Sequence, residues 1–215
     1  MLLDPVLFAA YLAVATALAV SPGPDTMFVI ASSASGGSRA GVAATLGTAS
    51  GSFMHASFAA LGISALIAAS PIAFDVLRLA GAVYLLWLGA QALRNLMRAT
   101  AAEASAASGE RTMRASYRRG LITNLFNPKV AVFYVAFLPQ FTNAALGHVP
   151  LQIFLLGLTH NIIGTVWLTG LALISGRAAE SFARNKRIRT WLDGFSGTVY
   201  IALAVRMLLL ERRPA

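Results

Sequence analysis

Cysteine is absent from this chain of 215 residues, which excludes disulfide staples, thiolate-held zinc, iron–sulfur clusters and thiol redox chemistry. Charge is scarce: Asp, Glu, Lys and Arg make up 12% of the residues, about half the share in an ordinary soluble domain. Lysine is nearly missing, with 15 Arg and 2 Lys standing against 8 acids for a net charge of +9. No Gly-x-x-x-x-Gly-Lys loop occurs, so the chain carries no phosphate cradle for ATP-driven work. No Gly-x-Ser-x-Gly turn occurs either, which leaves little support for a serine hydrolase.

The hydrophobic share is 57% and the mean hydropathy +0.69. No charge falls between Ala40 and Phe74 or between Val130 and Gly176, and shorter neutral runs cover Pro5–Pro24, Leu79–Leu93 and Gly194–Val205. An apolar run of about 18 residues or more spans a bilayer as a helix, because backbone groups in hydrocarbon must satisfy one another. A soluble bundle would need polar faces at helical period, and these runs have none. The expected class is an all-α integral membrane protein. Ala15-Thr16-Ala17 and Ala17-Leu18-Ala19 look like signal-peptide cleavage sites, but no Lys or Arg precedes the apolar run, so a retained first helix is expected.

Turn residues and charges divide the chain at about 5–34, 41–69, 72–93, 120–141, 150–175 and 191–210, six candidate spans in one transmembrane domain, 1–215. Twelve of seventeen basic residues fall in the 94–119 link, the 176–190 link and Arg39, against none at about 70–71 or 142–149. That bias places these links in the cytoplasm and both termini outside. Arg206, Arg212 and Arg213 conflict with this orientation, and a five-span chain with a re-entrant segment is the alternative. The basic links lack interleaved aromatics, which argues against nucleic acid, and the 99–110 stretch reads as a plain linker.

Three similarities hint at an inverted repeat, with halves of about 1–98 and 111–215. Gly81-Ala82-Val83-Tyr84-Leu85 resembles Gly197-Thr198-Val199-Tyr200-Ile201; Pro24 and Pro128 each break a span; His55 and His160 each sit in a Gly-containing span. Proline removes a helix donor and frees a carbonyl one turn back. Pro22-Gly23-Pro24 therefore predicts a break in the first span, and Asn127-Pro128 predicts one in the fourth. Asp25 follows the first break and Lys129 the second. A charge at membrane depth costs about 2.5–3.5 kcal/mol, so both call for a partner or a wet path. The expectation is one central site lined by Asp25, Thr26, Asn124, Asn127 and Lys129. There, Asp25 receives an amino group or a coupling proton, and Lys129 neutralises it or meets a carboxylate.

His55 and His160 are weaker candidates, read first as interhelical hydrogen-bonding groups, as are Asn161 and Gln140. Gly47, Ser50, Gly51, Gly157 and Gly164 read as close-packing positions, and Tyr84, Trp87 and Trp191 as interface anchors. Thr26, Ser50 and Thr123 hint at a modest cavity. Two competing functions are an intramembrane serine hydrolase using Ser50 or Ser52 with His160, and a non-transporting scaffold, which gives no reason for two broken helices each followed by a charge.

Ser21-Pro22-Gly23-Pro24-Asp25, Gly51-x-x-x-His55, Gly81-x-x-Tyr84-Leu85, Leu125-Phe126-Asn127-Pro128-Lys129 and Leu138-Pro139-Gln140-Phe141 together resemble the lysine-exporter (LysE/RhtB) family of amino-acid efflux proteins. The resemblance implies a proton-driven exporter of amino acids or derivatives in a bacterial inner membrane, with no cofactor. It makes Pro22, Gly23, Pro24, Asp25, Asn127, Pro128 and Lys129 the signature residues, and leaves a homo-oligomer open. Some relatives carry metal ions, but a chain without Cys or clustered carboxylates is poorly equipped for that cargo.

Overall fold

The computed structural model describes residues 2–98, 112–174 and 185–209. The linker, the 175–184 stretch, and with them Arg111, Arg177, Arg184, Arg212 and Arg213, lie outside the described residues. Seven α-helices and no strand occur among those described: α1 (Pro5–Val20), α2 (Pro24–Ala69), α3 (Pro71–Arg98), α4 (Met113–Leu125), α5 (Pro128–Val132), α6 (Val149–Leu173) and α7 (Lys186–Leu209).

Local chemistry sets the ends of these helices. Asp4 caps α1 by accepting from the Val6 and Leu7 amides at 3.0 and 3.2 Å, with Pro5 in the first turn. Thr112 caps α4 through the Ala115 amide at 3.3 Å. Asn127 caps α5, its Oδ1 accepting from the Lys129 amide at 3.1 Å. Beyond α5 the chain continues as a π-helical turn (Phe133–Phe137) and a 3₁₀ turn (Leu138–Phe141). Pro139 has no N–H to give the carbonyl one turn back, so the hydrogen-bond register slips around it.

The breaks expected in the first and fourth spans are present. Ser21 is extended ahead of Pro22, and α1 and α2 meet at 47°. Asn127 is extended ahead of Pro128, and α4 meets the Pro128–Phe141 segment at 50°. The boundary expected between 34 and 41 is a reversal at Gly37, whose φ of 73° and ψ of 177° suit only glycine. Residues eight apart on an uninterrupted helix lie about 12 Å apart, yet a Cβ on Gly41 would collide with Ser33 Oγ. Helix α2 is thus a hairpin with arms 24–36 and 38–69. Gly37→Ala should cost about 1–3 kcal/mol, read as a lower unfolding midpoint in detergent; an unchanged midpoint contradicts the strain.

Both arms pack on α6. Val29, Ile30, Ala44, Leu168, Leu171 and Ala172 form one core, and Asn161 Nδ2 donates to the Ala49 carbonyl at 3.1 Å. The second arm also packs on α4 through reciprocal glycines: a Cβ on Gly47 would meet the Tyr117 carbonyl, and one on Gly120 the Ala44 carbonyl. The larger core joins α1, α6, α7 and the π-helical turn through Tyr11, Phe133, Tyr134, Phe137, Leu156 and Tyr200. Two of its phenols are satisfied by α6 carbonyls, Tyr11 on Leu156 at 2.6 Å and Tyr134 on Gly157 at 3.1 Å. Helices α3 and α7 pack antiparallel, with Gly89 against Ile201 and Gly197 against Leu93.

At 25 residues α6 is about 37 Å long and crosses a bilayer core of about 30 Å. Among the described residues it alone passes by length and apolarity, and each bent pair passes if counted as one span. Each of the six expected segments holds helix; against the expected bounds α4 starts earlier, at Met113, α3 ends later, at Arg98, and α7 starts earlier, at Lys186. Large apolar side chains cover the outside, among them Phe126 at 81% and Val166 at 68% exposure. Such a surface is costly in water and at home in lipid.

Candidate functional site

Where the two breaks cross, a cavity of about 50 Å³ opens, room for a few waters. Pro22 explains one wall. The Leu18 carbonyl would ordinarily accept from the amide four residues on, and Pro22 has none. Lys129, reaching over from the second break, fills the gap: its Nζ donates to the Leu18 carbonyl at 3.0 Å and the Ser21 carbonyl at 2.9 Å. The ammonium thereby caps the negative end of α1. Tyr200 of α7 closes the same corner, its hydroxyl 2.6 Å from Ser21 Oγ and its ring 5.7 Å from the ammonium.

The opposite charge is handled in kind. Asp25 lies in the first turn of α2, where the helix end favours an anion. Its Oδ2 accepts from Asn124 Nδ2 at 2.8 Å, near the C-terminal end of α4. Gly51 makes room for this amide, since a Cβ there would sit 2.6 Å from Asn124 Oδ1. Ser52 Oγ approaches the same oxygen at 3.4 Å, and His55 Nε2 the Asn124 carbonyl at 3.4 Å. The Gly51-x-x-x-His55 spacing thus wraps Asn124.

Lys129 is expected to neutralise Asp25 or to meet a carboxylate, and direct pairing with Asp25 is not what the geometry shows. Among the described residues no ion pair joins them; Lys129 holds backbone carbonyls and Asp25 holds an amide. Each break supplies the group that compensates the other. The cost of charge at this depth is met by helix ends and hydrogen bonds, which bind α1 and α2 to α4 and α5.

Of the residues singled out by sequence, Gly23, Asp25, Thr26, Asn124, Asn127, Lys129, His160 and Asn161 line the cavity. Pro22, Pro24 and Pro128 do not; they create the breaks, and Pro24 and Pro128 are exposed. His55 stands behind Asn124. Ser50 and Thr123 are not in the lining, and Ser50 Oγ bonds the Leu46 carbonyl and Tyr117 hydroxyl instead. Gln140 bonds the Ala136 carbonyl of its own segment at 3.0 Å rather than another helix. Gly47, Gly51 and Gly157 are close-packing positions as expected, whereas a Cβ on Gly164 would meet nothing within 4 Å, and this residue lines the cavity.

Sequence reading missed Ser21 and Tyr200 as a bonded pair and Thr48, Ser52 and Thr165 as lining. Spacing from Gly37 would have found Thr48, because a hairpin turning there sets position 48 opposite Thr26. Neither Ser50 nor Ser52 bonds to His160, so the nucleophile–base pair that a hydrolase needs is not assembled. Gly164→Leu fills open space, so expression and unfolding midpoint should hold.

A LysE type translocator family model matches residues 16–211. The leucine efflux proteins of Salmonella typhimurium and Salmonella typhi are each 30% identical over 203 residues, 94% of this chain and 94% of theirs. An uncharacterized membrane protein of Vibrio cholerae is 32% identical over 192 residues, 89% of this chain and 91% of its own. No solved structure matches. With the broken-helix pair and the family match spanning nearly the whole chain, the protein belongs to the LysE type translocator family.

Proposed function

We propose that this chain exports leucine and similar apolar amino acids from the bacterial cytoplasm in exchange for protons, through the cavity between the two breaks. Membership of a translocator family makes the protein a transporter rather than an enzyme. The leucine efflux relatives support an amino-acid cargo. The observation that carries the reading is the pair of opposite charges lining one cavity, each held by the other break and neither consumed in an ion pair.

A zwitterion offers the matching groups. Asp25 keeps one oxygen free of protein partners and takes the ammonium; Lys129 has three donors, two of them on α1 carbonyls, and meets the carboxylate with the third. Leu18, Val130 and Leu168 supply apolar wall for the side chain. A proton and an ammonium exclude each other on one carboxylate, and that exclusion is what obligatory exchange requires. The cavity of about 50 Å³ admits a whole amino acid only after its walls part, so loading couples to motion of the helices.

In this reading six spans form two inverted halves, about 1–98 and 111–215, joined by the cytoplasmic link at 94–119, with both termini periplasmic in the inner membrane. The two bends of 47° and 50° and the antiparallel packing of α3 on α7 support it. Counterflow of labelled leucine into proteoliposomes, with and without an imposed pH gradient, tests the function. Leucine exchange with gradient-accelerated efflux is expected; failure of every amino acid in a panel would remove the cargo assignment.

A further inference from the structure

Two residues that line the cavity each carry a buried polar atom without a protein partner, Asp25 Oδ1 and His160 Nδ1. Among the described residues three other side-chain atoms share that condition, on Ser116, Gln140 and Trp167, and none of those residues lines the cavity. An orphaned buried group costs about 1–3 kcal/mol, so two around one small space point to a missing hydrogen-bonding guest.

The imidazole has little freedom to find another partner. His160 is 8% exposed, its ring lies 4.3 Å from that of Phe133 and 5.8 Å from that of Tyr134. One turn earlier, Gly157 lets Ala56 and Tyr134 close against α6: a Cβ there would be 2.8 Å from Ala56 Cβ and 2.9 Å from Tyr134 Cε1. Nearby, Asn161 Nδ2 is bonded to the Ala49 carbonyl and two of the three Lys129 donors to α1 carbonyls.

We propose that His160 is a substrate-contact residue: its Nδ1, unprotonated, accepts a hydrogen bond from the primary ammonium of the transported amino acid, alongside Asp25 Oδ1. The inference rests on the transport reading above and adds a recognition rule to it. A carboxylate oxygen only accepts, so a guest that serves both atoms must donate at least twice, and a primary ammonium carries three donors. A neutral imidazole accepts through one nitrogen without upsetting the balance of one anion and one cation in the cavity. The ligand class is thus a primary amine, and an N-dimethylated amino acid, with one N–H for two acceptors, should be carried poorly.

His160→Phe keeps the ring against Phe133 and Tyr134 and deletes the nitrogen; His160→Asn returns an acceptor. In leucine counterflow the Phe variant should raise KM about tenfold with the maximal rate within about twofold, and the Asn variant should recover part of the loss. ¹⁵N-histidine spectra of the unmodified chain, with the His160 resonances assigned by their loss in His160→Phe, should show the His160 Nδ1 resonance shifting as leucine is added. A wild-type KM in His160→Phe, or an unmoved Nδ1 resonance at saturating leucine, overturns the contact. If Asp25→Asn meanwhile abolishes counterflow, only the histidine is refuted; if the unmodified chain carries no leucine, both inferences fall.

Discussion

Asp25→Asn should reduce proton-coupled leucine efflux by about 100-fold, the equivalent of losing one charge-assisted contact of about 2–3 kcal/mol. The substitution is nearly isosteric, and an Asn at 25 can still accept from Asn124 Nδ2 through its own amide oxygen. Assembly should therefore survive. What goes is the negative charge that both a proton and an ammonium need, and with it the exclusion that couples their movements. Any residual leucine flux should no longer respond to an imposed pH gradient. Vesicle flux together with the amount of inserted protein checks this, and wild-type coupled efflux by the variant would remove Asp25 from the site.

Lys129→Met should lose both stability and transport. The apolar stem is kept while two carbonyls at the end of α1 are left without a donor, at about 1.5–3 kcal/mol for each charged hydrogen bond. The Leu18 carbonyl is an orphan only because Pro22 follows four residues later. Pro22→Ala restores that amide, so the double variant Pro22→Ala/Lys129→Met should regain part of the lost unfolding midpoint without regaining transport. A double-mutant cycle on the midpoint measures the coupling. Strict additivity would mean that Lys129 does not serve the carbonyl that Pro22 frees.

The two breaks and the residues beside them were legible because proline chemistry is local: an absent N–H and a forced extended neighbour need no tertiary knowledge. Asp25 and Lys129 stood out because charge is rare in the apolar runs. Asn124, which holds Asp25, was already placed in the same site, but the partners of Lys129 were not legible. Lys129 is held by the backbone of Leu18 and Ser21, and a carbonyl leaves no mark in the residue type that carries it. Tyr200 was noticed as one member of a repeated pentapeptide, but its bond to Ser21 crosses 179 positions and depends on how α7 docks. Gly164 looked like Gly157, since a missing side chain serves close packing and open space equally; only the neighbours decide. The reversal at Gly37 was within reach, given the adjacent Gly36, because a left-handed φ selects glycine.

The hydrogen bonds join the first break to the second: Asn124 to Asp25 and Lys129 to Leu18. On the transport reading proposed above, motion that opens the cavity breaks contacts that stabilise both charges, and a bound zwitterion replaces them. Empty and loaded states then differ in which groups satisfy Asp25 and Lys129, which gives the cargo the differential interaction that a conformational shift needs.

The absence of native cysteine makes one measurement clean. Thr165 lines the cavity, while its neighbour Val166 faces outward with 68% exposure. Thr165→Cys, in a variant that still exchanges leucine, should react with a small maleimide several-fold more slowly when leucine is saturating, and Val166→Cys should be indifferent to it. Labelling of Thr165→Cys at the same rate with and without leucine would contradict a cargo site between the two broken helices.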